Sequence, residues 1–221
     1  MSAAPVVVLT GMALEARIAG GAEVIFGLRG EALALALAGR LRRPCAGLIS
    51  FGMAGGLAPG LLPGAIVIGH GIAGGGASDG ALPTDPTWTT ALHAMLPQAA
   101  AGLLAGVDAP VAGIRDKAAL HAASGALAAD MESHIGARLA QQAGVPFAAC
   151  RVIVDPAGQQ VAPAALAGFG ADGSVALAPL LRELLLHPGQ LPALLRLGSD
   201  AAKARSALRL ARQELGVRFG R

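Results

Sequence analysis

ISFGMAGGLAPGLLPGAIVIG, residues 49–69, and ADMESHIGARLAQQAGVPFAACRVIVD, residues 129–155, decide the fold. In the first stretch, apolar runs at 46–51 and 65–69 have the length of buried strands and flank a segment broken by glycine and proline. In the second, a helical pattern opens on two carboxylates, Asp130 and Glu132, and leads into another apolar run at 147–153. Strands alternating with helices define an α/β fold with a largely parallel sheet, in which ligands sit beyond the carboxyl ends of the strands. Both stretches carry their polar and glycine-rich residues at such ends.

Working outward, further strands are predicted at 5–10, 22–27, 103–112 (bent at Pro110) and 126–129. Helices are predicted at 30–42, 86–96, 115–123 and 131–143. Three carboxy-terminal helices follow, near 174–186, 189–196 and 199–215, the last with Ser199 as its N-cap. GHGIAGGGASDGALPTDP, 69–86, is low in complexity and reads as a rim of the site. The 221 residues, 54% apolar, suffice for one domain spanning 1–221, with basic carboxy-terminal helices at about 174–215. With 32 Gly, no Tyr, one Trp and five Phe, close backbone approach and small side chains are expected to dominate the core.

Residues 44–78 contain no Lys, Arg, Asp or Glu, but glycines and prolines interrupt them where a membrane-spanning helix needs continuity. MSAAPVVVLTGMALEAR lacks the basic start of a secretory signal, and Cys45 and Cys150 lie in apolar contexts, so a reducing, cytoplasmic setting is expected. Residues 191–221 hold seven of the 17 basic residues and two of the 14 acidic ones. Such a tail is either a solvated helix packed on the domain or a surface that meets anionic lipid at the inner face of a membrane. Nucleic acid is not an expected partner, since no aromatic interleaving accompanies the charge.

Gly69, Gly71 and Gly74 match GxGxxG but do not open a helix, and no GxxxxGK[ST] occurs, so dinucleotide and P-loop chemistry are set aside. Five scattered histidines and two cysteines without metal-ligand spacing make a metal site unexpected. Four groups of residues stand out as chemical. Gly52, Met53, Ala54, Gly55 and Gly56 form a glycine loop able to approach a ligand with bared backbone. Glu15 follows the first strand, where a lone acid ordinarily serves a helix N-terminus. Asp130 and Glu132 stand at a helix mouth, and Asp155 ends an apolar strand four residues after Arg151. Arg29, in GLRG between a predicted strand and a predicted helix, is a candidate for holding phosphate, assisted by the N–H groups of that helix start.

TGMALEA (10–16), GMAGGLAPGLLPGAIVIG (52–69), DMES (130–133) and RVIVDPA (151–157), in this order, resemble the nucleoside phosphorylase and methylthioadenosine/adenosylhomocysteine nucleosidase superfamily, and within it the hopanoid-associated phosphorylases. The resemblance implies a single-domain three-layer sandwich around a mixed, largely parallel sheet. It implies cleavage of the N-glycosidic bond of an adenine nucleoside, adenosylhopane above all, with adenine released. Glu15 would then be the base of a hydrolytic reaction and Asp155 the group that protonates or hydrogen-bonds N7 of the departing purine. Met131 would pack on the ribose and Glu132 would accept from its hydroxyls. GVDAPVAG (106–113) resembles the segment that sandwiches the purine, through Pro110 and Val111. No metal or organic cofactor is implied. Phosphate is an optional co-substrate, which Arg17 would help hold as an arginine in the corresponding loop of phosphorolytic relatives does, leaving water or phosphate as the nucleophile. The partners implied are a purine nucleoside, lipid-linked if the hopanoid resemblance holds, and a second copy of the chain in a homodimer. A methylthioadenosine/adenosylhomocysteine nucleosidase and a non-catalytic purine-nucleoside binder are the alternatives.

Overall fold

The computed structural model describes residues 4–74, 80–168 and 177–221. The chain runs β1 (Val6–Leu9), α1 (Ala13–Ala19), β2 (Glu23–Ile25), α2 (Gly30–Leu41), β3 (Gly47–Gly56), β4 (Ile66–Ala73), β5 (Leu82–Pro83), α3 (Pro86–Met95) and β6 (Ala100–Gly106). It continues as α4 (Ile114–Ser124), β7 (Ala128–Asp130), α5 (Ser133–Gln142), β8 (Phe147–Asp155), α6 (Pro163–Gly168), α7 (Leu177–Leu186), a 3-10 turn (Pro188–Gln190) and α8 (Leu191–Leu215).

The expected α/β architecture with a mixed sheet is what forms. Among the described residues the strands lie in the order β2-β1-β3-β7-β6-β4-β5, and β8 pairs with both β3 and β4. That double pairing closes β3, β7, β6, β4 and β8 into a ring, with β1 and β2 extending it on one side. β1, β2, β3 and β8 run parallel, as do β4, β6 and β7; β3–β7, β4–β8 and β4–β5 are antiparallel.

Alternation along each strand sends successive side chains to opposite faces. Val6 and Val8, with Phe51, Ile68 and Val152, pack under Trp88 and Leu92 of α3 and Leu208, Ala211 and Leu215 of α8. Val7 and Leu9, with Leu48, Val67 and Ala149, pack under Leu33 and Leu37 of α2 and Ile135, Ala137 and Ala140 of α5. Helices therefore cover both faces, each large aliphatic side chain contributing about 1.5–3 kcal/mol by burial.

The structure corrects several sequence expectations. GMAGG is strand rather than loop, because β8 continues to pair with β3 from Leu48 to Gly55. Residues 44–78 thus include two paired strands, and among the described residues no helix is long and apolar enough to cross a membrane. The strand expected over 103–112 starts earlier and ends at Gly106, so Pro110 lies in a connection and bends no strand. Ser199 caps nothing: it lies inside α8, which joins the two helices expected at 189–196 and 199–215. Gly198 is tolerated there because Ala204, Leu208, Ala211 and Leu215 bury the helix's inner face. The tail itself is fastened down. Arg212 donates to the Ala19 and Gly20 carbonyls, and Trp88 Nε1 donates to the Phe219 carbonyl at 2.7 Å. α1, β5 and α6 were not anticipated. Residues 75–79 of the low-complexity stretch and 174–176 of the expected helix lie outside the described residues.

Candidate active site

Past the carboxyl ends of β1 and β7, and against the middle of β3 and β8, four charged side chains meet in the interior. Glu15 is at the third position of α1, and its carboxylate turns back on the preceding loop. Oε2 accepts from the Gly11 and Met12 N–H groups, both at 2.9 Å. Oε1 accepts from the N–H of Met53 in β3 at 2.7 Å. A carboxylate has about four acceptor positions, so one remains for a ligand. Glu15 therefore does serve the start of its helix, as the simpler reading of a lone acid there holds, and it also faces the site. Burial pushes its pKa above the usual carboxylate value, against the pull of Arg151 and the three N–H groups.

Arg151, wholly buried in the middle of β8, is the centre of the cluster. Its Nη2 lies 3.2 Å from Asp130 Oδ1 and 3.2 Å from Glu132 Oε2, and it also donates to the Ser50 hydroxyl. Nη1 reaches the Met53 carbonyl at 3.4 Å, and Nε has no hydrogen-bond partner among the described residues. Burial works against the guanidinium's charge, but Asp130, Glu132 and Glu15 outweigh it and hold its pKa above the ordinary value.

Asp130 and Glu132, adjacent acids in one motif, have separate tasks. Asp130 Oδ1 accepts from the Glu132 and Ser133 N–H groups at 2.9 and 2.6 Å, and Oδ2 accepts from the Ser133 hydroxyl, so Asp130 closes the start of α5. Glu132 is not used for capping and lies against Arg151. Burial, with Asp130 and Glu15 adding negative charge, pushes it up to about 7 despite Arg151. Met131 is half-buried beside it.

Two glycines are required here by close approach. A Cβ on Gly52 would lie 2.8 Å from both Arg151 Nη1 and Glu15 Oε1, and one on Gly11 would lie 2.7 Å from Glu132 Oε1. Gly52, anticipated as ligand-facing, thus also brings β3 against the charged side chains, and Gly11 does the same for the β1–α1 loop.

Asp155 ends β8 next to Gly55, where a Cβ would meet Oδ2 at 3.4 Å. β8 carries one extra residue between Ile153 and Asp155 opposite Ala54 and Gly55, a bulge that re-aims the side chain. Gly52 faces Arg151 and Gly55 faces Asp155 in the ladder, about 10 Å apart along the strand. Burial raises Asp155, and an ammonium opposes it: Lys117 Nζ of α4 donates to Oδ2 and to the Pro156 and Gln159 carbonyls, the last two at 3.0 and 2.9 Å.

The other anticipated residues are placed as follows. Ala54 is buried in β3, and Gly56 packs on Asp155's backbone and Pro156. Pro110 is exposed, and Val111 packs beside Leu57 and Ala129. The carbonyl of the next residue, Ala112, accepts from the Val161 N–H at 3.0 Å, tying this segment to the one that follows Asp155. Arg17 is exposed near the end of α1; two residues from Glu15 on a helix, it faces away from it. Arg29 is the half-buried residue just before α2, at the end of the edge strand β2. His134, buried on α5, pairs with Asp108 at 3.2 Å. A groove of about 760 Å³ opens beyond Asp155, with walls that include Leu57, Leu61, Leu62, Ile114 and Pro156. Another groove of about 470 Å³, between β2 and α2, contains none of the site residues.

Sequence reasoning quoted Arg151 without giving it a role and missed Lys117. A guanidinium inside CRVIV has apolar neighbours on both sides and needs buried acids, a signal that was available. Lys117 offered none, because its partner is distant in the chain and its helix reads as polar.

A family model described as the phosphorylase superfamily matches residues 5–185, and the chain belongs to that superfamily. A search of curated proteins finds no match. Among solved structures, the chain is similar to futalosine hydrolase of Helicobacter pylori, at 15% identity and TM-score 0.69, covering 95% of this chain and 96% of that one. It is similar to 5′-methylthioadenosine/S-adenosylhomocysteine nucleosidase of Neisseria meningitidis in complex with methylthio-immucillin-A, at 20% identity, TM-score 0.65, 94% and 96%. The S-adenosylhomocysteine nucleosidase of Streptococcus pyogenes in complex with 5-methylthiotubericidin is similar at 21% identity, TM-score 0.62, 71% and 86%. At these identities the likeness establishes the shared fold.

Proposed function

We propose that the chain is an enzyme that cleaves the N-glycosidic bond of an adenine nucleoside with water as nucleophile, and that its substrate is adenosylhopane. The observation that carries the hydrolytic reading is the charge around Arg151: three carboxylates, Glu15, Asp130 and Glu132, surround one guanidinium. A phosphate brought there would lie against Glu15, Asp130 and Glu132 with Arg151 already engaged by these acids, whereas water can donate to the acceptor position that Glu15 keeps. Arg17, the phosphate candidate nearest to Glu15 in sequence, faces away from it.

In this reading Glu132 and Met131 hold the ribose. The carboxylates stabilise the positive charge that develops on the sugar as the C1′–N9 bond breaks. Glu15 takes the proton of the attacking water. Asp155, raised by burial, gives a proton to N7, and the bonding electron pair leaves with the adenine. Gly52 to Gly56 and the Pro110–Val111 segment line the space between the sugar and the base.

A large apolar 5′ substituent is supported by the resemblance of DMESH and RVIVDPA. Exposed Leu185, Leu186, Leu191 and Leu195 lie near exposed Arg182 and Arg196, which supports contact with an anionic membrane surface by a cytoplasmic, peripheral enzyme. The test compares kcat/KM for adenosylhopane presented in anionic vesicles with that for methylthioadenosine in solution. Preference for adenosylhopane by about tenfold or more, equivalent to about 1.4 kcal/mol, is expected. Equal or better use of methylthioadenosine would move the assignment to the methylthioadenosine/adenosylhomocysteine nucleosidase reading, which the similar structures suggest.

A further inference from the structure

Lys117 is the one residue of α4 that the fold buries completely. On a helix whose other side chains are exposed or half-buried, an aliphatic residue would fill that inward position without desolvating a charge. The ammonium has three donors, and all are used: one on Asp155 Oδ2, two on the Pro156 and Gln159 carbonyls. It therefore holds both the carboxylate and the backbone that leaves β8. Among the described residues no other side chain hydrogen-bonds Asp155.

We propose that Lys117 is a positioning residue for the base-facing acid: it fixes the Asp155 carboxylate and sets how tightly that carboxyl holds its proton. The inference rests on the assignment of Asp155 to the leaving base. In the transfer, the O–H bond of Asp155 breaks as the N7–H bond of adenine forms, and solvent returns the proton after release. Without the neighbouring ammonium, a buried carboxyl keeps its proton more tightly and is a poorer acid. With it, the proton is shared in favour of the base. The other charged or titratable groups around Asp155 leave this role to Lys117. Asp200 of α8 opposes it and is itself paired with Lys203 at 3.1 Å. His121 of α4 turns its Nδ1 to the Ala126 carbonyl, and Arg151 is engaged by Asp130 and Glu132.

The test is the pH profile of kcat/KM for K117M, K117R and D155N, using the 5′-substituted adenosine that wild type cleaves best. K117M is expected to lower kcat about tenfold or more and to move the alkaline limb upward by about one pH unit or more, because removing an opposite charge raises a carboxyl's pKa. K117R, which keeps the charge, should leave the limb near its wild-type position. If K117M does not fold, K117Q carries the same expectation, having N–H donors but no charge. A folded K117M or K117Q with the wild-type limb overturns the role of Lys117. If D155N still releases adenine, the assignment of Asp155 fails instead, and the role of Lys117 with it. An inactive D155N beside an unshifted K117M limb overturns the Lys117 role alone.

Discussion

Glu15→Gln is expected to lower kcat/KM for adenine release by about 10²–10⁴-fold, the usual contribution of a positioned general base. Its carboxylate is the group that receives the water proton, and an amide cannot. Glutamine can still accept from the Gly11 and Met12 N–H groups through its oxygen, but its NH₂ then confronts the Met53 N–H that Oε1 now satisfies. That lost hydrogen bond costs about 1–3 kcal/mol of stability. Thermal unfolding measured beside the kinetics separates the two effects. A small fall in Tm with a large fall in kcat is the expected pattern, and a variant as active as wild type would remove Glu15 from the chemistry.

Arg151→Met should be the more damaging substitution to the fold. Methionine fits the buried position but leaves Glu15, Asp130 and Glu132 packed together with no cation between them, at a cost of about 3–5 kcal/mol. The pH dependence of Tm should expose the cause. In wild type Glu132 is pushed up to about 7 from the 4.5 of an unperturbed glutamate, so between those values the folded protein holds a proton that the unfolded chain has released. Stability therefore falls as pH rises through that window and levels off above it. Removing Arg151 takes away the main force lowering Glu132, so the fall should continue to higher pH. The deficit of Arg151→Met should accordingly be smallest at the acidic end of that window, near pH 4.5, where Glu132 keeps its proton. A deficit independent of pH would mean that the guanidinium acts by packing alone.

Much of this site is legible in the sequence, because its acids fall at strand ends and helix mouths that apolar patterning marks out. Glu132 and Asp155 are each within two residues of a predicted element boundary, and Glu15 lies in the segment after the first predicted strand. What patterning hides is pairing across distance. GMAGG looks like a loop by composition, yet a strand flanked by partners needs no side chains of its own: the ladder to β8 carries it through Gly55, and β7 pairs with Gly55 and Gly56. Ser199 has the chemistry of a helix start, but tertiary burial of Ala204 and Leu208 carries α8 through it. Lys117 is ordinary in IRDKAALHAAS and becomes a buried cation only because the β8 terminus lies against its helix. Arg151 is the intermediate case, since its apolar surroundings announce burial while its partners come from two other segments.

Hydrolysis, at a site where carboxylates crowd the buried guanidinium of Arg151, is tested most directly by adenine release from adenosylhopane and from methylthioadenosine by the wild-type protein, in phosphate-free buffer and with phosphate added, with the sugar product identified. Release without phosphate, no acceleration when phosphate is added, and a free sugar as the second product are expected. Release that requires phosphate and yields a sugar 1-phosphate would contradict hydrolysis, and no release from either nucleoside would leave a binding protein on this fold.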